Sequence, residues 1–225
     1  MKPVCLVTGA ASGLGRELLA ALSADYQLVA IDVDSQILPI VAAKFSCDFR
    51  ICDVADYQSV QMTVNYLIDK YHRLDCLINC AGLYLDGELT ANDPAKIKQT
   101  VLVNSLGPIN LSKAVIPELK RQKSGIIVNI VSTAGLHPRA RCSVYHASKY
   151  ALTGFGQSLA LELEPHGIKV VNIYPDLMNT NFSRQGSIKR DFSRALNPDG
   201  VVNLINYILS LDPHTTLPDI TIRYL

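Results

Sequence analysis

The sequence feature that most constrains the fold is a glycine-rich segment between a short apolar run and a helical pattern. Residues 4–8 are almost entirely apolar, and residues 13–23 repeat their apolar side chains with helical spacing. Between them, residues 8–15 read Thr-Gly-Ala-Ala-Ser-Gly-Leu-Gly. Because glycine adopts turn conformations that other residues avoid, this order predicts a buried strand, a tight turn and a helix.

The same alternation of short apolar runs and longer amphipathic segments continues along the chain. Predicted strands cover residues 4–8, 27–32, 48–52, 75–79, 125–131, 168–174 and 219–223. Predicted helices cover residues 13–23, 36–44, 57–71, 94–122, 143–164 and 198–209. Strands separated by helices indicate right-handed βαβ units in a parallel sheet. We therefore expect one domain over residues 1–225, a Rossmann-type doubly wound α/β fold with seven strands and helices on both faces.

Composition narrows the function classes. The chain has 225 residues and a formal net charge of +1, so no overall field recruits nucleic acid or an anionic membrane. No apolar run approaches the ~18 residues of a membrane span, and the first residues are too short an apolar stretch for a signal peptide. The six cysteines are scattered without a C-x-x-C pair, which predicts reduced thiols, no metal site and a cytoplasmic location.

The glycine segment predicts a dinucleotide site, since glycines admit a pyrophosphate close to the backbone and the following helix offers free N–H groups. The candidate contacts in this segment are Gly9, Ser12, Gly13, Leu14 and Gly15. A plain strand-to-helix turn is the alternative. Asp53 and Val54, which follow the third strand, are placed to reach an adenine edge, although Asp53 would serve equally well as a turn or capping residue.

The second predicted strand ends at Asp32, at about the 20-residue distance where an acid binds ribose hydroxyls. A carboxylate there accepts hydrogen bonds from a 2′-hydroxyl and repels a 2′-phosphate. Neither Ser12 nor Val33 is a cation, and Arg16 is expected on the solvent side of its helix. NAD is therefore favoured over NADP.

A second group of residues predicts proton transfer. Tyr145 and Lys149 stand four apart, which puts them on one face of a helix. A lysine ammonium near a phenol stabilises the phenolate and lowers the tyrosine pKa from its usual ~10, so that the tyrosine can exchange a proton with a substrate oxygen. Ser132, after the fifth strand, either donates to a carbonyl oxygen or only begins a turn. Asn104 is either a tolerated polar residue or a kink that holds a water.

These motifs together resemble the short-chain dehydrogenase/reductase family, in its ordinary branch with a Tyr-x-x-x-Lys site. Residues 8–15 match the cofactor motif of that family, and residues 79–82 resemble its Asn-Asn-Ala-Gly segment with Cys80 at the second position. Four further residues match the catalytic tetrad in order and spacing, namely Asn104, Ser132, Tyr145 and Lys149.

The resemblance implies specific roles. Tyr145 would be the general acid in reduction and the base in oxidation, Ser132 would orient the substrate oxygen, and Asn104 would support a water in a proton relay. Lys149 would lower the pKa of Tyr145 and bind the nicotinamide ribose. The resemblance adds further cofactor contacts at Asn79, Ala81, Gly82, Pro175 and Thr180, the last of which would meet the carboxamide.

Two departures from the family pattern stand near the carboxyl end. Asp176 replaces the glycine that usually follows the proline after the sixth strand, and the chain ends in a plain strand instead of a glycine-rich segment. A tetramer is therefore in doubt, and a homodimer through the helices that begin at Pro94 and Ser143 is expected. Residues 176–197 are predicted to be a substrate loop or lid. This loop carries four cations, Arg184, Lys189, Arg190 and Arg194.

The sequence thus predicts an NAD(P)-dependent oxidoreductase that transfers a hydride between a nicotinamide cofactor and the carbonyl or alcohol carbon of a small molecule. Tyr84, Leu85 and Leu136 are candidates for an apolar wall of the substrate pocket, and His137 is either a pocket or a solvated loop residue. His146 is expected to be a spectator. An NADP-preferring carbonyl reductase and a catalytically idle sensor of dinucleotide are the alternative functions.

Overall fold

A computed structural model describes residues 2–184, 186 and 191–225, with the side chains of residues 183 and 184 left out. The strands are β1 Val4–Thr8, β2 Gln27–Asp32, β3 Asp48–Ile51, β4 Cys76–Asn79, β5 Gly125–Ile130, β6 Ile168–Pro175 and β7 Asp219–Ile222. The α-helices are α1 Gly13–Leu22, α2 Ile37–Lys44, α3 Tyr57–Tyr71, α4 Pro94–Val101, α5 Gly107–Gln122, α6 Ser143–Leu163, α7 Asn181–Arg184 and α8 Pro198–Ser210.

The strands form one seven-stranded sheet in the order β3-β2-β1-β4-β5-β6-β7. All neighbouring strands pair in parallel. The direction of winding reverses between β1 and β4, and ligands of such sheets bind at the carboxyl ends of the strands on either side of that point. The predicted single-domain, doubly wound fold is confirmed.

The core lies in two layers because the central strands are covered on both faces. Cys5 and Val7 of β1 pack with α1 and α8 on one face, whereas Leu6 packs with α3 and α5 on the other. Strands buried on both faces have almost no polar positions. This is why β1 reads as a continuous apolar run and not as an alternating one.

The predicted helix over residues 94–122 is wrong in its middle. It is divided into α4 and α5 by a π-helical turn at Leu102–Leu106, which contains Asn104. The Asn104 Oδ1 accepts a hydrogen bond from the Leu83 amide at 2.7 Å, and its Nδ2 donates to the Leu83 carbonyl at 2.8 Å and to Ser148 Oγ at 3.0 Å. The interruption therefore holds the loop after β4 against α6, as π-turns at functional sites often do.

A ladder of buried amides crosses the sheet near its carboxyl edge. Asn79, Asn129, Asn172 and Asp219 are register partners on β4 to β7. Asn79 Nδ2 donates to Asn129 Oδ1 at 2.9 Å, Asn129 Nδ2 to Asn172 Oδ1 at 3.0 Å, and Asn172 Nδ2 to Asp219 Oδ1 at 3.2 Å. The Asp219 carboxylate also accepts from the Tyr174 hydroxyl. The carboxylate at one end orients every amide along the ladder.

The described positions contain neither a membrane span nor a metal-binding cluster. No helix in that part of the chain is long and apolar enough to cross a bilayer. Nor do those positions contain a group of three or more His, Cys, Asp or Glu side chains that could hold a metal ion.

Candidate active site

A cavity of about 820 Å³ opens over the carboxyl ends of the strands, and its volume suits a small molecule or cofactor. It collects most of the residues predicted for the site. These are Gly9, Ser12, Gly13, Leu14, Gly15, Asp32, Asp53, Val54, Ala81, Gly82, Ser132, Tyr145, Lys149, Pro175 and Thr180. Of the predicted catalytic and cofactor-binding residues, Asn79 and Asn104 lie outside its wall. Both are buried and are engaged in the ladder and the π-turn.

The glycine turn brings the backbone of α1 close to β1 and to the loop after β4. Gly9 has a φ of +66°, and a Cβ there would lie 2.9 Å from the Ala81 Cα. A Cβ on Gly15 would overlap the carbonyl oxygen of Gly9. Ser12 precedes α1 and makes no side-chain capping bond, so the first N–H groups of the helix face the cavity without a side-chain acceptor. Such a helix start attracts an anion.

Asp32 is held at the cavity wall by two backbone amides. Its Oδ2 accepts from the Ala11 amide and its Oδ1 from the Asp34 amide, each at 3.0 Å. Arg16 lies outside the main cavity and pairs with Glu17 at 3.2 Å, with half of its side chain exposed. Of the three charged side chains Asp32, Arg16 and Glu17, Asp32 is the one that lines the main cavity.

Asp53 is a turn residue that also lies in the cavity wall. It lines the cavity beside Val54, and its Oδ1 accepts from the Ala55 amide at 2.9 Å as a turn residue.

Tyr145 and Lys149 lie in the first turns of α6 and face the cavity from the other side. Both are buried, at 7% and 4% exposure. The Lys149 Nζ donates to the Ile130 carbonyl at 2.9 Å and lies 5.9 Å from the centre of the Tyr145 ring. Burial lowers the pKa of Lys149 from its ordinary value to about 8. An ammonium group in such a position is poorly solvated and is therefore available to a ligand or to a neighbouring phenolate.

Ser132 occupies a backbone conformation that only glycine adopts easily. Its φ is +155° and its ψ is 158°, and its Oγ accepts from the Ala134 amide at 3.1 Å. Backbone strain of this kind costs on the order of 1–3 kcal/mol and concentrates at active sites. Ser132 thus begins a turn, as one of its two predicted roles required, and it also lines the cavity wall.

Aromatic rings form the wall next to Tyr145. The centre of the Tyr84 ring lies 4.9 Å from that of Tyr145 in an edge-to-face arrangement, and Phe182 lies 6.2 Å from Tyr84. Leu85 and Leu136, which were expected in this wall, are not part of it. Sequence reasoning missed Phe182, although it stands two residues after Thr180 in the predicted loop. His146, which was predicted to be a spectator, also lies in the cavity wall.

Asp176, in place of the family glycine, ties two loops together. Its Oδ1 accepts from the Leu177 amide at 2.8 Å and from Thr133 Oγ1 at 3.4 Å, and its own amide donates to the Ile222 carbonyl at 3.0 Å. The carboxylate lines the cavity next to the turn that holds Ser132.

Only part of the predicted loop cations can be placed. Arg194 is exposed and does not line the cavity. The side chain of Arg184, together with Lys189 and Arg190, lies outside the described residues.

The wall of the cavity fits a nicotinamide dinucleotide. The glycine turn leaves a backbone cradle that side chains would fill, and the buried Oγ1 of Thr180 has no hydrogen-bond partner among the residues that the structure describes. An unsatisfied buried hydroxyl at a cavity wall needs a polar group from a ligand or a water.

Comparison with known proteins gives concordant matches. The chain matches the family described as short chain dehydrogenase over residues 3–191. It is 29% identical over 227 residues to an uncharacterized oxidoreductase of Staphylococcus saprophyticus, across 98% of this chain and 96% of that protein. It is 32% identical over 225 residues to the NAD(+) 15-hydroxyprostaglandin dehydrogenase of Homo sapiens, across 93% and 81%. A solved metagenomic short-chain oxidoreductase in complex with NADP has a TM-score of 0.86 at 25% identity, across 99% and 97%.

Proposed function

Because this chain belongs to the short-chain dehydrogenase family, we propose that Tyr145 is the acid–base group of an NAD(P)-dependent oxidoreductase acting on a carbonyl or alcohol. The observation that carries the proposal is one cavity with the glycine turn at one end and Tyr145, Lys149 and Ser132 at the other. An idle dinucleotide sensor would not need a buried lysine beside a tyrosine in the same cavity, so that alternative is not favoured.

Each side chain has a defined task in this proposal. Tyr145 donates its phenolic proton to the carbonyl oxygen during reduction and accepts a proton from the alcohol during oxidation. Ser132 donates a hydrogen bond to the same oxygen and stabilises its developing charge. The Lys149 ammonium stabilises the phenolate and binds the nicotinamide ribose. When bound, the nicotinamide supplies or receives the hydride at its C4 atom.

Asn104 is a positioning residue in this scheme. Both amide hydrogens of its side chain are already donated, to Leu83 and Ser148. A water in the proposed proton relay would therefore bind the Asn104 main-chain carbonyl or the remaining lone pair of Oδ1.

The decisive experiment replaces the hydroxyl of Tyr145. Tyr145→Phe is expected to lower kcat by about 10²–10⁴-fold, because proton transfer is lost, while NADH affinity stays within a few fold. Lys149→Ala should weaken NADH binding as well. Tyr150→Phe is the matched control, since Tyr150 lies on the same helix with 43% of its surface exposed. Unchanged turnover in Tyr145→Phe would show that the acid assignment is wrong.

We propose NAD as the preferred cofactor. The Asp32 carboxylate at the cavity wall and the outward position of Arg16 support this preference, as does the NAD(+) relative. The NADP complex of the metagenomic relative favours the second candidate, an NADP-preferring carbonyl reductase.

Parallel fluorescence titrations with NADH and NADPH distinguish the two cofactor preferences. We expect the wild type to bind NADH more tightly than NADPH. Asp32→Asn should lower the ratio of the NADPH Kd to the NADH Kd by about tenfold, because the carboxylate no longer repels the 2′-phosphate. Tighter NADPH binding by the wild type would favour the second candidate.

Residues 176–197 are proposed to form the substrate loop. Asp176, Leu177, Met178, Thr180 and Phe182 all line the cavity, which supports this assignment for the first part of the segment.

A homodimer is the proposed assembly, through the face of α4, α5 and α6. Large exposed apolar side chains on these helices and on the π-turn between α4 and α5 support it, namely Val101, Leu106, Ile109, Tyr150 and Leu161. Light scattering on the protein as it elutes from a sizing column tests the homodimer, and a monomer mass would contradict it.

Six free cysteines support a reducing, cytoplasmic setting.

A further inference from the structure

Two arginines from distant parts of the sequence line the substrate end of the cavity. Arg139 lies in the loop between the Ser132 turn and α6, and Arg223 follows β7. Arg223 is brought there by the pairing of β7 with β6, which places Ile222 opposite Pro175. Two guanidinium groups at the same end of a substrate cavity make a positive region next to the proposed reaction centre.

Neither arginine is neutralised by a carboxylate. Arg139 Nη2 donates to the Tyr84 hydroxyl at 3.1 Å and to Cys142 Sγ at 3.2 Å, and Arg223 Nη2 lies 2.9 Å from His137 Nε2. The ion pairs found among the described residues involve other side chains. The sequence shows that the positions left out of the description, residue 1 and residues 183–185 and 187–190, contain no acid.

Arg139 is coupled to the proposed reaction centre through one aromatic side chain. Its partner Tyr84 packs edge-to-face against Tyr145, with the ring centres 4.9 Å apart. Its charge is also felt at the next residue of α6. Burial lowers the pKa of His146, and the positive charge of Arg139 lowers it further.

Two acids lie near this end, Asp176 in the cavity wall and Asp86 behind Tyr84 outside the wall, and Asp176 does not cancel the two cations. Its carboxylate is directed to the Leu177 amide and to Thr133 Oγ1, on the Ser132 side of the cavity. The His137 ring lies against Arg223, with its Nε2 atom 2.9 Å from the Arg223 Nη2. Among the side chains that line this end of the cavity, two guanidinium groups stand against the single carboxylate of Asp176, next to the apolar surface of Phe182 and Met178.

We propose that the substrate is an oxo or hydroxy carboxylic acid with an apolar chain, whose carboxylate binds Arg139 and Arg223 while its carbonyl or alcohol meets Tyr145. This inference rests on the proposed function. Guanidinium groups match a carboxylate with two parallel hydrogen bonds, and their present partners are neutral groups that a carboxylate replaces readily.

The test compares acids with esters of the same length. The probes are 4-oxopentanoate, 5-oxohexanoate and 7-oxooctanoate, each beside its methyl ester, with the preferred reduced cofactor. We expect kcat/KM for the best acid to exceed that of its ester by about tenfold, as a charge-assisted pair allows. Arg139→Met and Arg223→Gln should each lower the value for the acid far more than the value for the ester. Arg141→Gln is the matched control, because Arg141 lies in the same loop but outside the cavity wall.

Esters that react as well as acids at every length would overturn the proposal, as would arginine variants that affect acid and ester equally. If none of the probes reacts, the binding of two unreactive ligands tests the proposal instead. Octanoate should then bind the complex with NADH about tenfold more tightly than octanamide does, and equal binding would overturn the proposal. Loss of NADH binding, or full activity of Tyr145→Phe, would instead count against the proposed function itself.

Discussion

The two ends of the cavity are built from different chemistry. At the glycine end the backbone forms the wall, and close packing of Gly9 and Gly15 leaves helix N–H groups exposed to a ligand. At the other end side chains form the wall, with Tyr145 and Lys149 buried and Ser132 held in a strained conformation. The glycine end binds a ligand only while no side chain fills the turn. The other end depends on buried polar groups that need hydrogen-bond partners. Substitutions should therefore damage them in different ways.

The amide ladder of β4 to β7 lies next to the polar end, since Asn79 and Asn129 directly precede the cavity-lining residues Cys80 and Ile130. Asn129 is completely buried, and both halves of its amide are used by neighbours. Lys149 is also buried, with a main-chain carbonyl as its hydrogen-bond partner. Buried amides and ammonium groups contribute to stability only while their partners remain in place.

The largest effect is expected at the glycine end. In Gly15→Ala the new Cβ overlaps the Gly9 carbonyl, so α1 must move away from the turn. We expect NADH affinity to fall by more than about 100-fold, equivalent to about 3 kcal/mol. Fluorescence titration measures this. Gly154→Ala on α6 is the control, since a Cβ there meets nothing within 4 Å and should stabilise the fold by about 0.5–1 kcal/mol. Normal NADH binding by Gly15→Ala would show that the glycine end does not depend on the close packing of Gly15 against Gly9.

At the polar end, Lys149 should make stability depend on pH. Burial lowers its pKa from 10.5 to about 8, so below pH 8 both the folded and the unfolded chain bind the proton, and burying the charge is unfavourable by about 3 kcal/mol. Between pH 8 and 10.5 only the unfolded chain keeps the proton, so the contribution of Lys149 to stability rises with pH.

Urea unfolding of the wild type and of Lys149→Met without cofactor measures this dependence. The difference between the two curves removes the titration of the cysteines and tyrosines that both proteins share. A difference that does not change with pH would mean that the folded protein fully compensates the buried ammonium.

A smaller effect is expected from the ladder. Asn129→Ala leaves Asn79 Nδ2 and Asn172 Oδ1 without partners, which should lower the free energy of unfolding by about 2 kcal/mol. The control is Asn65→Ala, which removes an exposed acceptor of Gln61 on α3 and should change stability by less than about 0.5 kcal/mol. Equal effects of the two substitutions in urea unfolding would show that the ladder contributes little to the free energy of unfolding.

Sequence reasoning located the regular elements well and failed where a side chain decided the backbone. The bounds of β2 and α3 agree with the prediction, because apolar spacing and the Asp56 cap are local signals. The break between α4 and α5 was not predicted, because it depends on Asn104 bonding to Leu83 on another element. The spacing of apolar residues along a helix carries no information about a contact with another element.

The candidate site divides in the same way. The residues after β1, β2, β4 and β5 were predicted because the carboxyl ends of parallel strands meet at one edge. Phe182 and the guanidinium of Arg223 were not, although Arg223 ends the last predicted strand and the same rule would have found it.

The sequence by itself determined three local features: a glycine turn, an alternation of strands and helices, and a tyrosine and a lysine one helical turn apart. These are local properties, set by glycine geometry and by the periods of apolar side chains. Only the tertiary structure decided that Arg223 lies beside His137, 86 residues away in sequence, and that Asp176 faces Thr133. Those contacts follow from the pairing of β6 with β7 and from side-chain packing, which the order of residues does not encode locally.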